Sequence, residues 1–256
     1  MSLTVRIRSV SHTGLKRKNN EDMILIGDQF IRNGEYESEI AVSKSSPFVF
    51  AVADGMGGHK SGDLASQYVA EGMRESVKRI GTGKTNNEVK EYFENEISLL
   101  HTKLMEKSES DPGLRSMGST LVSVVFYENR IFLINAGDSR CYRFRNGILR
   151  QFSNDHSLSA ITGIERKSSK ALINSVGGGK SVFIDFIDVT PSFTDGDTIV
   201  LCSDGLHDMV EDDAIEKTLT ESEVCEPLLQ AALDAGGADN ISIILLKLSV
   251  GVKELA

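Results

Sequence analysis

The chain has 256 residues, of which 28 are Lys or Arg and 37 are Asp or Glu, so its formal net charge is −9. This net charge argues against general binding to nucleic acid or to an anionic membrane surface. The length suits one large layered domain, and we expect a single domain over residues 1–256.

The three cysteines are Cys141, Cys202 and Cys225, and each lies in an apolar stretch of sequence. Their odd number and wide spacing favour buried free thiols in a reducing compartment, for which we expect the cytoplasm. A zinc site would need close Cys or His pairs, and the sequence has none. No apolar run approaches the length of a membrane span.

Alternation of apolar and polar residues predicts strands along much of the chain. The predicted strands are residues 4–11, 23–29, 48–53, 120–127, 130–135, 140–145, 148–152, 182–188, 198–202 and 241–248. The first of them carries charge early, which is typical of a strand and not of a signal peptide. Glu128-Asn129 and Asn146-Gly147 predict two hairpin turns.

Helical periodicity marks two blocks between the third and fourth strands and a third region near the C-terminus. The apolar faces of the first two helices are formed by Ala65, Val69, Met73, Val77 and Ile80, and by Val89, Phe93, Ile97, Leu100 and Leu104. Asn86 or Asn87 could cap the second helix. The third region covers residues 212–219 and 224–235, with a predicted break at Glu226-Pro227. This order lacks the alternating rhythm of a parallel sheet and favours an α+β fold of antiparallel sheets flanked by helices.

Acidic residues stand at the ends of three apolar runs. Asp54 follows the run 47–53, Asp204 follows the run 198–203, and Asp239 precedes the run 241–246. A carboxylate at the end of a buried strand is costly unless something pairs with it. If these ends meet at one edge of the fold, the pooled carboxylates need a cation, and oxygen-only ligands favour Mg²⁺ or Mn²⁺. Such a site activates water or holds phosphate.

Seven short motifs, in order, extend this pattern over nearly the whole chain. They are Gly14-x-x-Arg17-x-x-Asn20-Glu21-Asp22, Asp54-Gly55-Met56-Gly57-Gly58-His59, Gly118-Ser119-Thr120, Asn135-Ala136-Gly137-Asp138-Ser139-Arg140, Asp155-His156-Ser157-Leu158, Ser203-Asp204-Gly205-Leu206 and Gly237-Ala238-Asp239-Asn240. The set resembles the metal-dependent Ser/Thr protein phosphatases of the PP2C family in its bacterial form. The resemblance implies a PP2C-like β-sandwich of two mostly antiparallel sheets, with a helix pair on each outer face.

The resemblance also implies a metal ligand set. Asp54 would bridge two Mn²⁺ or Mg²⁺ ions, and the carbonyl of Gly55 would bind one of them. Asp204 and Asp239 would complete the first ion's ligands, and Glu21 would reach the second ion through water. A water activated by these ions would attack phosphorus directly, without a phosphoenzyme. The chain has no Cys-x5-Arg loop, which excludes the thiolate mechanism of tyrosine phosphatases.

Three further residues receive roles by the same resemblance. Arg17 would bind the phosphoryl oxygens, for which its planar guanidinium is suited, although Lys16 and Lys18 also allow a plain solvated loop. Asp22 would accept a hydrogen bond from a metal-bound water. The catalytic set is therefore Arg17, Asp22 and Asp54. Asp138 would hold a third, weaker ion, or it is simply a turn residue that accepts backbone hydrogen bonds.

Two departures from the family pattern affect the expected chemistry. Animal members have a His, a proposed general acid, where this chain has Met56, so the acid that protonates the leaving group is undefined here. His59 is expected to pack beside the site and not to bind metal. The segment 157–176 is shorter than the flap of bacterial relatives, and its basic residues Arg166, Lys167 and Lys170 could influence substrate choice.

We therefore expect metal-dependent hydrolysis of phosphoserine and phosphothreonine in proteins by a bacterial signalling enzyme. Its substrates would be phosphorylated by a Ser/Thr kinase, and the enzyme is expected to be a monomer that binds neither nucleic acid nor membrane. Two alternatives stay open: a catalytically weak relative that binds a phosphorylated partner, and a hydrolase of small phosphate esters. Asn240 is expected to support Asp239 as a hydrogen-bond donor.

Overall fold

The computed structural model describes residues 2–57, 61–163 and 171–251. The strands are β1 (Ser2–His12), β2 (Asp22–Ile26), β3 (Gln29–Ile31), β4 (Gly34–Val42), β5 (Phe48–Met56), β6 (Gly118–Ser119), β7 (Leu121–Tyr127), β8 (Arg130–Ala136), β9 (Arg140–Arg145), β10 (Ile148–Gln151), β11 (Asp185–Asp188), β12 (Thr198–Cys202) and β13 (Ile241–Gly251). The helices are α1 (Ser61–Arg79), α2 (Asn86–Ser110), α3 (Leu158–Thr162), α4 (Asp204–His207), α5 (Asp212–Glu221) and α6 (Cys225–Asp234).

The strands form two sheets that pack face to face. One sheet has the order β10-β9-β12-β13-β1-β4, and the other has the order β11-β8-β7-β5-β2-β3, with the short β6 paired to β5. Neighbouring strands within the described residues pair antiparallel throughout both sheets. Side chains such as Ile7, Phe50 and Leu246 fill the space between the sheets and are fully buried.

Helices cover the outer face of each sheet, so the layers are α-β-β-α as the resemblance implied. The apolar faces predicted for α1 and α2 pack on the second sheet, where Val69, Met73 and Phe93 are fully buried. Leu206 of α4, Ile215 of α5 and Leu228 of α6 pack on the first sheet. Burial of each apolar stripe against a sheet face is what stabilises these helices. None of the helices described is long and apolar enough to cross a membrane.

Two predicted element boundaries were wrong. The predicted break at Glu226-Pro227 does not exist, because α6 runs through both residues. Pro227 lies in the first turn of α6, where a missing N–H removes no helical hydrogen bond. The interruption falls instead between α5 and α6. The N-cap of α2 is Thr85, whose side chain accepts from Glu88 N in a capping box, and not Asn86 or Asn87.

The sheet edges also differ from the sequence prediction. β4 was not predicted, because its side chains Glu35, Glu37 and Glu39 are polar and the strand lies at an exposed edge. Only Asp185–Asp188 of the predicted strand 182–188 pairs with β8. The predicted strand 23–29 is interrupted by a turn at Gly27, which has a φ of 57°. β2 ends before this turn, and β3 begins after it at Gln29.

Candidate active site

A cavity of about 530 Å³ opens at one end of the sandwich. It lies where β5 and β12 end and where β2 and β13 begin, since antiparallel neighbours bring one strand's end beside the next strand's start. The predicted site residues on its wall are Arg17, Glu21, Asp54, Gly55, Asp138, Asp204 and Asp239. Residues from five separate motifs therefore converge on one cavity. Met56 and Thr120 also line it, and His59 lies outside the described residues.

Asp54 is held through its main chain by Thr120. The Asp54 N–H donates to Thr120 Oγ1 at 3.0 Å, and the Thr120 N–H donates to the Asp54 carbonyl at 2.8 Å. Desolvation raises the pKa of Asp54 well above its ordinary value, and the nearby charges of Asp22 and Asp204 raise it further. Burial and neighbouring negative charges therefore destabilise the ionised form of Asp54, and a bound cation would stabilise it.

Gly55 and Gly62 allow the start of α1 to lie against the site. A Cβ atom on Gly55 would overlap the carbonyl oxygen of Gly62, and one on Gly62 would lie 2.7 Å from Glu21 Oε2. The Gly55 N–H donates to the Glu21 carbonyl at 3.2 Å. The absence of both side chains is thus what brings the Glu21 carboxylate, the Gly55 main chain and the N-terminus of α1 together.

Asp204 is the first residue of α4, directly after β12. Its Oδ1 atom is buried and has no hydrogen-bond partner in the described part of the chain. Desolvation raises the pKa of Asp204 well above normal, and Asp138 and Asp239 add repulsion. A buried carboxylate oxygen that lacks a donor is costly, and a cation would satisfy it.

Arg17 and Asp239 form an ion pair across the cavity mouth, with Arg17 Nη2 2.5 Å from Asp239 Oδ2. The other carboxylate oxygen, Oδ1, accepts from the Asn240 main-chain N–H at 2.8 Å. The predicted support of Asp239 by Asn240 therefore comes from the backbone. The Asn240 side chain instead donates to the carbonyls of Thr13 and Asn19, which closes the loop that carries Arg17.

Asp22 lies beneath the cavity and does not line its wall, and the expected hydrogen bond from a metal-bound water stays a prediction. The residue is 0% exposed, and its Oδ2 accepts from Ser203 Oγ at 2.8 Å. Among the described residues, Oδ1 has no hydrogen-bond partner. Burial raises the pKa of Asp22 to about 6, opposed by the Ser242 and Ser203 hydroxyls.

Asp138 follows β8 and places its carboxylate on the cavity wall. Burial raises its pKa to about 7, and the charge of Asp155 contributes. The preceding Gly137 has a φ of 130°, a conformation that favours glycine. Its main chain exchanges two hydrogen bonds with His156: Gly137 N donates to Nδ1 at 3.2 Å, and His156 N donates to the Gly137 carbonyl at 2.9 Å. The family motif around His156 thus positions the Asp138 loop.

Arg32 is a site-supporting residue that the sequence patterns missed. Its guanidinium donates to the carbonyls of Asn20 at 2.9 Å, Asp22 at 3.1 Å and Asp63 at 2.7 Å. It thereby ties the start of β2 to the start of α1. No local signal distinguishes it, because an arginine between β3 and β4 has the sequence context of an ordinary surface residue.

The residues present fit a hard divalent cation. The donors are carboxylate and carbonyl oxygens, and two of the buried carboxylate oxygens have no hydrogen-bond partner among the described residues. Desolvation, together with mutual repulsion, raises the pKa values of Asp54 and Asp204. As they stand, however, no three Asp, Glu, His or Cys side chains in the described ranges are grouped closely enough to hold an ion.

Comparisons with known proteins agree with this site. A family model of protein phosphatase 2C matches residues 36–240. The serine/threonine phosphatase Stp of Listeria monocytogenes is 32% identical over 219 residues, which are 80% of this chain and 86% of that protein.

Solved structures agree as well. The catalytic domain of the serine/threonine protein phosphatase PstP in complex with two manganese ions superposes with a TM-score of 0.74 at 28% identity, covering 97% of this chain and 100% of that one. PppA of Pseudomonas aeruginosa, described as a key regulatory component of T6SS, gives a TM-score of 0.76 at 27% identity, with 95% and 97% covered. The chain described here belongs to the protein phosphatase 2C family.

Proposed function

We propose that this protein hydrolyses phosphoserine and phosphothreonine esters in proteins, with Mn²⁺ or Mg²⁺ as its cofactor. The observation that carries the proposal is the convergence of Asp54, Asp204 and Asp239 with Arg17 around one open cavity. The carboxylates supply the negative oxygen ligands of a cation site, and the guanidinium supplies a cation that binds phosphate. The family membership and the named relatives support the same activity.

Each carboxylate has a proposed place in a two-ion site. Asp54 would contact both ions, and Asp204, Asp239 and the Gly55 carbonyl would hold one of them. Glu21, packed against Gly62 at the start of α1, would serve the other. Asp138 would hold a third ion, for which its position on the wall and its raised pKa are the support. When bound, such ions lower the pKa of a coordinated water and screen an incoming phosphate.

Arg17 binds and orients the phosphoryl group in this proposal. Its side chain reaches the cavity from a loop that the Asn240 amide closes at both ends. Asp239 pairs with it at 2.5 Å and keeps it at the cavity mouth until an anionic substrate competes. Lys16 and Lys18, on the same loop, also line the cavity and lower the cost of bringing a dianion near the carboxylates.

Asp22 acts from below the cavity as a positioning residue. It accepts a hydrogen bond from Ser203, and Ser203 directly precedes Asp204. Its register partner across the β2–β5 ladder is Asp54. Asp22 therefore lies beside Asp54 and contacts the residue before Asp204, although it does not line the cavity. Neither the sequence nor the geometry singles out a described cavity side chain that would donate a proton to the leaving group. Met56 stands at the position where animal members have a His.

The partners and setting of the enzyme stay predictions. We infer that a Ser/Thr kinase produces the phosphorylated substrates, that the chain works as a monomeric single domain over residues 1–256 in a bacterial signalling system, and that it is cytoplasmic. The three free thiols support a reducing compartment. Net charge −9 supports the absence of nucleic-acid and membrane partners.

The decisive experiment is turnover of a phosphopeptide and of a small aryl phosphate by the metal-free protein, with Mn²⁺, Mg²⁺ or chelator added. We expect activity on both with Mn²⁺, higher catalytic efficiency on the phosphopeptide, and none in chelator. Binding of phosphopeptide without turnover would instead favour the catalytically weak relative. Preference for the aryl phosphate would favour a small-ester hydrolase, and full activity in chelator would overturn the metal mechanism.

A further inference from the structure

His207 is a buried imidazole that the family motifs leave without a role. It is the last residue of α4, and its side chain is 3% exposed. Nε2 lies 3.1 Å from the carbonyl oxygen of Asp138. A carbonyl can only accept, so Nε2 carries the proton. Nδ1 makes no hydrogen bond with the residues described.

The helix that carries His207 is rigidly placed. α4 is a single turn that starts at Asp204, and the Asp208 N–H donates to the Asp204 carbonyl at 2.8 Å to close it. A Cβ atom on Gly205 would overlap the Asn240 carbonyl oxygen, so the turn is pressed against the loop before β13. Leu206 is fully buried. Asp204 and His207 therefore move as one unit.

The Asp138 loop is held from two sides. Residues 137–139 cross from β8 in one sheet to β9 in the other. His156 holds the main chain of Gly137 on one side through two hydrogen bonds. His207 contacts the carbonyl of Asp138 itself on the other side. The two imidazoles thus fix a three-residue loop whose one carboxylate lies on the cavity wall.

We propose that His207 is a positioning residue that fixes the Asp138 main chain relative to Asp204 and thereby sets the protein's affinity for a divalent cation. Asp138 and Asp204 line the same cavity, and two carboxylates of like charge at one site repel each other. Without the hydrogen bond from His207, the Asp138 carbonyl would no longer be tied to α4, and the two carboxylates would be free to separate. The inference rests on the proposed metal site, and it concerns the hydrogen bond from Nε2, not the charge of the ring.

The test is Mn²⁺ titration of metal-free full-length protein by calorimetry. His207→Leu removes the donor, and we expect at least one Mn²⁺ ion to bind about tenfold more weakly, the scale of one lost buried hydrogen bond. His207→Gln can place an amide N–H near the position of Nε2 and should keep most of the affinity. Half-maximal activation should require correspondingly more Mn²⁺, while KM for an aryl phosphate at saturating Mn²⁺ stays unchanged.

His101→Leu is the matched control. His101 is also buried and its Nδ1 accepts from Gly177 N at 3.0 Å, but it lies on α2 and does not line the cavity. This variant should lose stability and keep wild-type Mn²⁺ affinity. If His207→Leu fails to fold, His207→Asn, whose amide is too short to reach the carbonyl, replaces it.

Wild-type Mn²⁺ affinity in a folded His207→Leu or His207→Asn variant would overturn the inference. An equal loss in His207→Gln and His207→Leu would also overturn it, because ring packing and not the donor would then be responsible. If the wild-type protein itself binds no Mn²⁺, the proposed function fails instead.

Discussion

Ser203 Oγ donates a hydrogen bond of 2.8 Å to Asp22 Oδ2, joining residues 181 positions apart in the sequence. Ser203 Oγ also accepts from the Ser242 N–H at 3.0 Å. This hydroxyl therefore links β2, the end of β12 and the start of β13 directly beneath the candidate metal site. It gives the buried Asp22 a donor, and the Ser242 hydroxyl also favours the ionised carboxylate, but burial outweighs both and raises the pKa of Asp22.

The first prediction follows from that imbalance. The folded-state pKa of Asp22 is raised from 3.8 to about 6, so between these values the folded chain holds a proton that the unfolded chain releases. The associated stability is fully present below about pH 4 and is lost as pH rises through 6. In chelator at pH 7, Asp22→Asn should be more stable than wild type by up to about 3 kcal/mol, the equivalent of some two pKa units.

Urea unfolding of both proteins at several pH values measures this difference. The gain should shrink toward zero near pH 4. A constant difference across the pH range would contradict the assignment, because a pH-independent effect reflects packing and not ionisation.

The second prediction concerns the proposed ligands. Asp54→Asn and Asp239→Asn should each lose most Mn²⁺-dependent turnover while staying folded. Removing the Asp54 charge relieves repulsion with Asp22 and Asp204, so the metal-free variant should unfold at the same or a higher urea concentration than wild type. Added Mn²⁺ should stabilise it less than it stabilises wild type.

The control for this experiment is Asp28→Asn, an exposed carboxylate paired with Lys78. It should change neither turnover nor Mn²⁺ stabilisation, since surface ion pairs contribute little. Wild-type turnover in Asp54→Asn would show that Asp54 is not a ligand.

Arg17 gives the third prediction. Arg17→Ala should lower kcat/KM by roughly ten- to a hundredfold, the scale of a charge-assisted contact of about 1.5–3 kcal/mol, and leave Mn²⁺ binding nearly intact. Lys16→Ala and Lys18→Ala are natural comparisons on the same loop and should lose far less. Steady-state kinetics at saturating Mn²⁺ measures all three, and equal losses would indicate a diffuse basic patch.

Close backbone contact at Gly205 gives the fourth prediction. Gly205→Ala places a methyl group on the Asn240 carbonyl, and neither backbone can yield without moving Asp204. We expect a loss of roughly 1–3 kcal/mol or more in unfolding free energy and weaker Mn²⁺ binding. Gly113→Ala is the control, because its methyl group would meet only the Asp111 side chain, at 3.2 Å. Thermal unfolding and Mn²⁺ titration of both variants should separate them clearly; matching behaviour would refute the contact.

The fifth prediction comes from the sequence, because Arg166, Lys167 and Lys170 lie outside the described residues. Leu172, in the described part of the segment 157–176, lines the cavity. Replacing the three with Ala should change the ranking among phosphopeptides with acidic flanks and spare hydrolysis of an aryl phosphate. A parallel loss on both substrates would mean that the segment supports the site itself.

Local sequence pattern was enough to predict most strands and the acidic strand ends, because apolar runs specify strands and an Asp beside a small residue at the end of a run needs a compensating partner. The family and the sandwich followed from the resemblance carried by seven motifs in order. The edge strand β4 was not predicted from the sequence. Its side chains Glu35, Glu37 and Glu39 are exposed, and the strand has too few buried apolar residues to show a clear apolar–polar alternation. The helix break predicted at Pro227 was wrong because a proline destabilises a helix in its interior but is tolerated in the first turn, where Pro227 lies.

The contacts between side chains could be read only from the folded chain. Asn240 closes the Arg17 loop across more than 200 residues, Asp22 lies under the cavity and not in it, and His207 contacts the Asp138 carbonyl. Each of these contacts is set by the register of paired strands and by close packing at glycines, which no local stretch of sequence encodes. Motif order identifies the residue types that reach the site, and the packing of the two sheets determines the partner that each one meets.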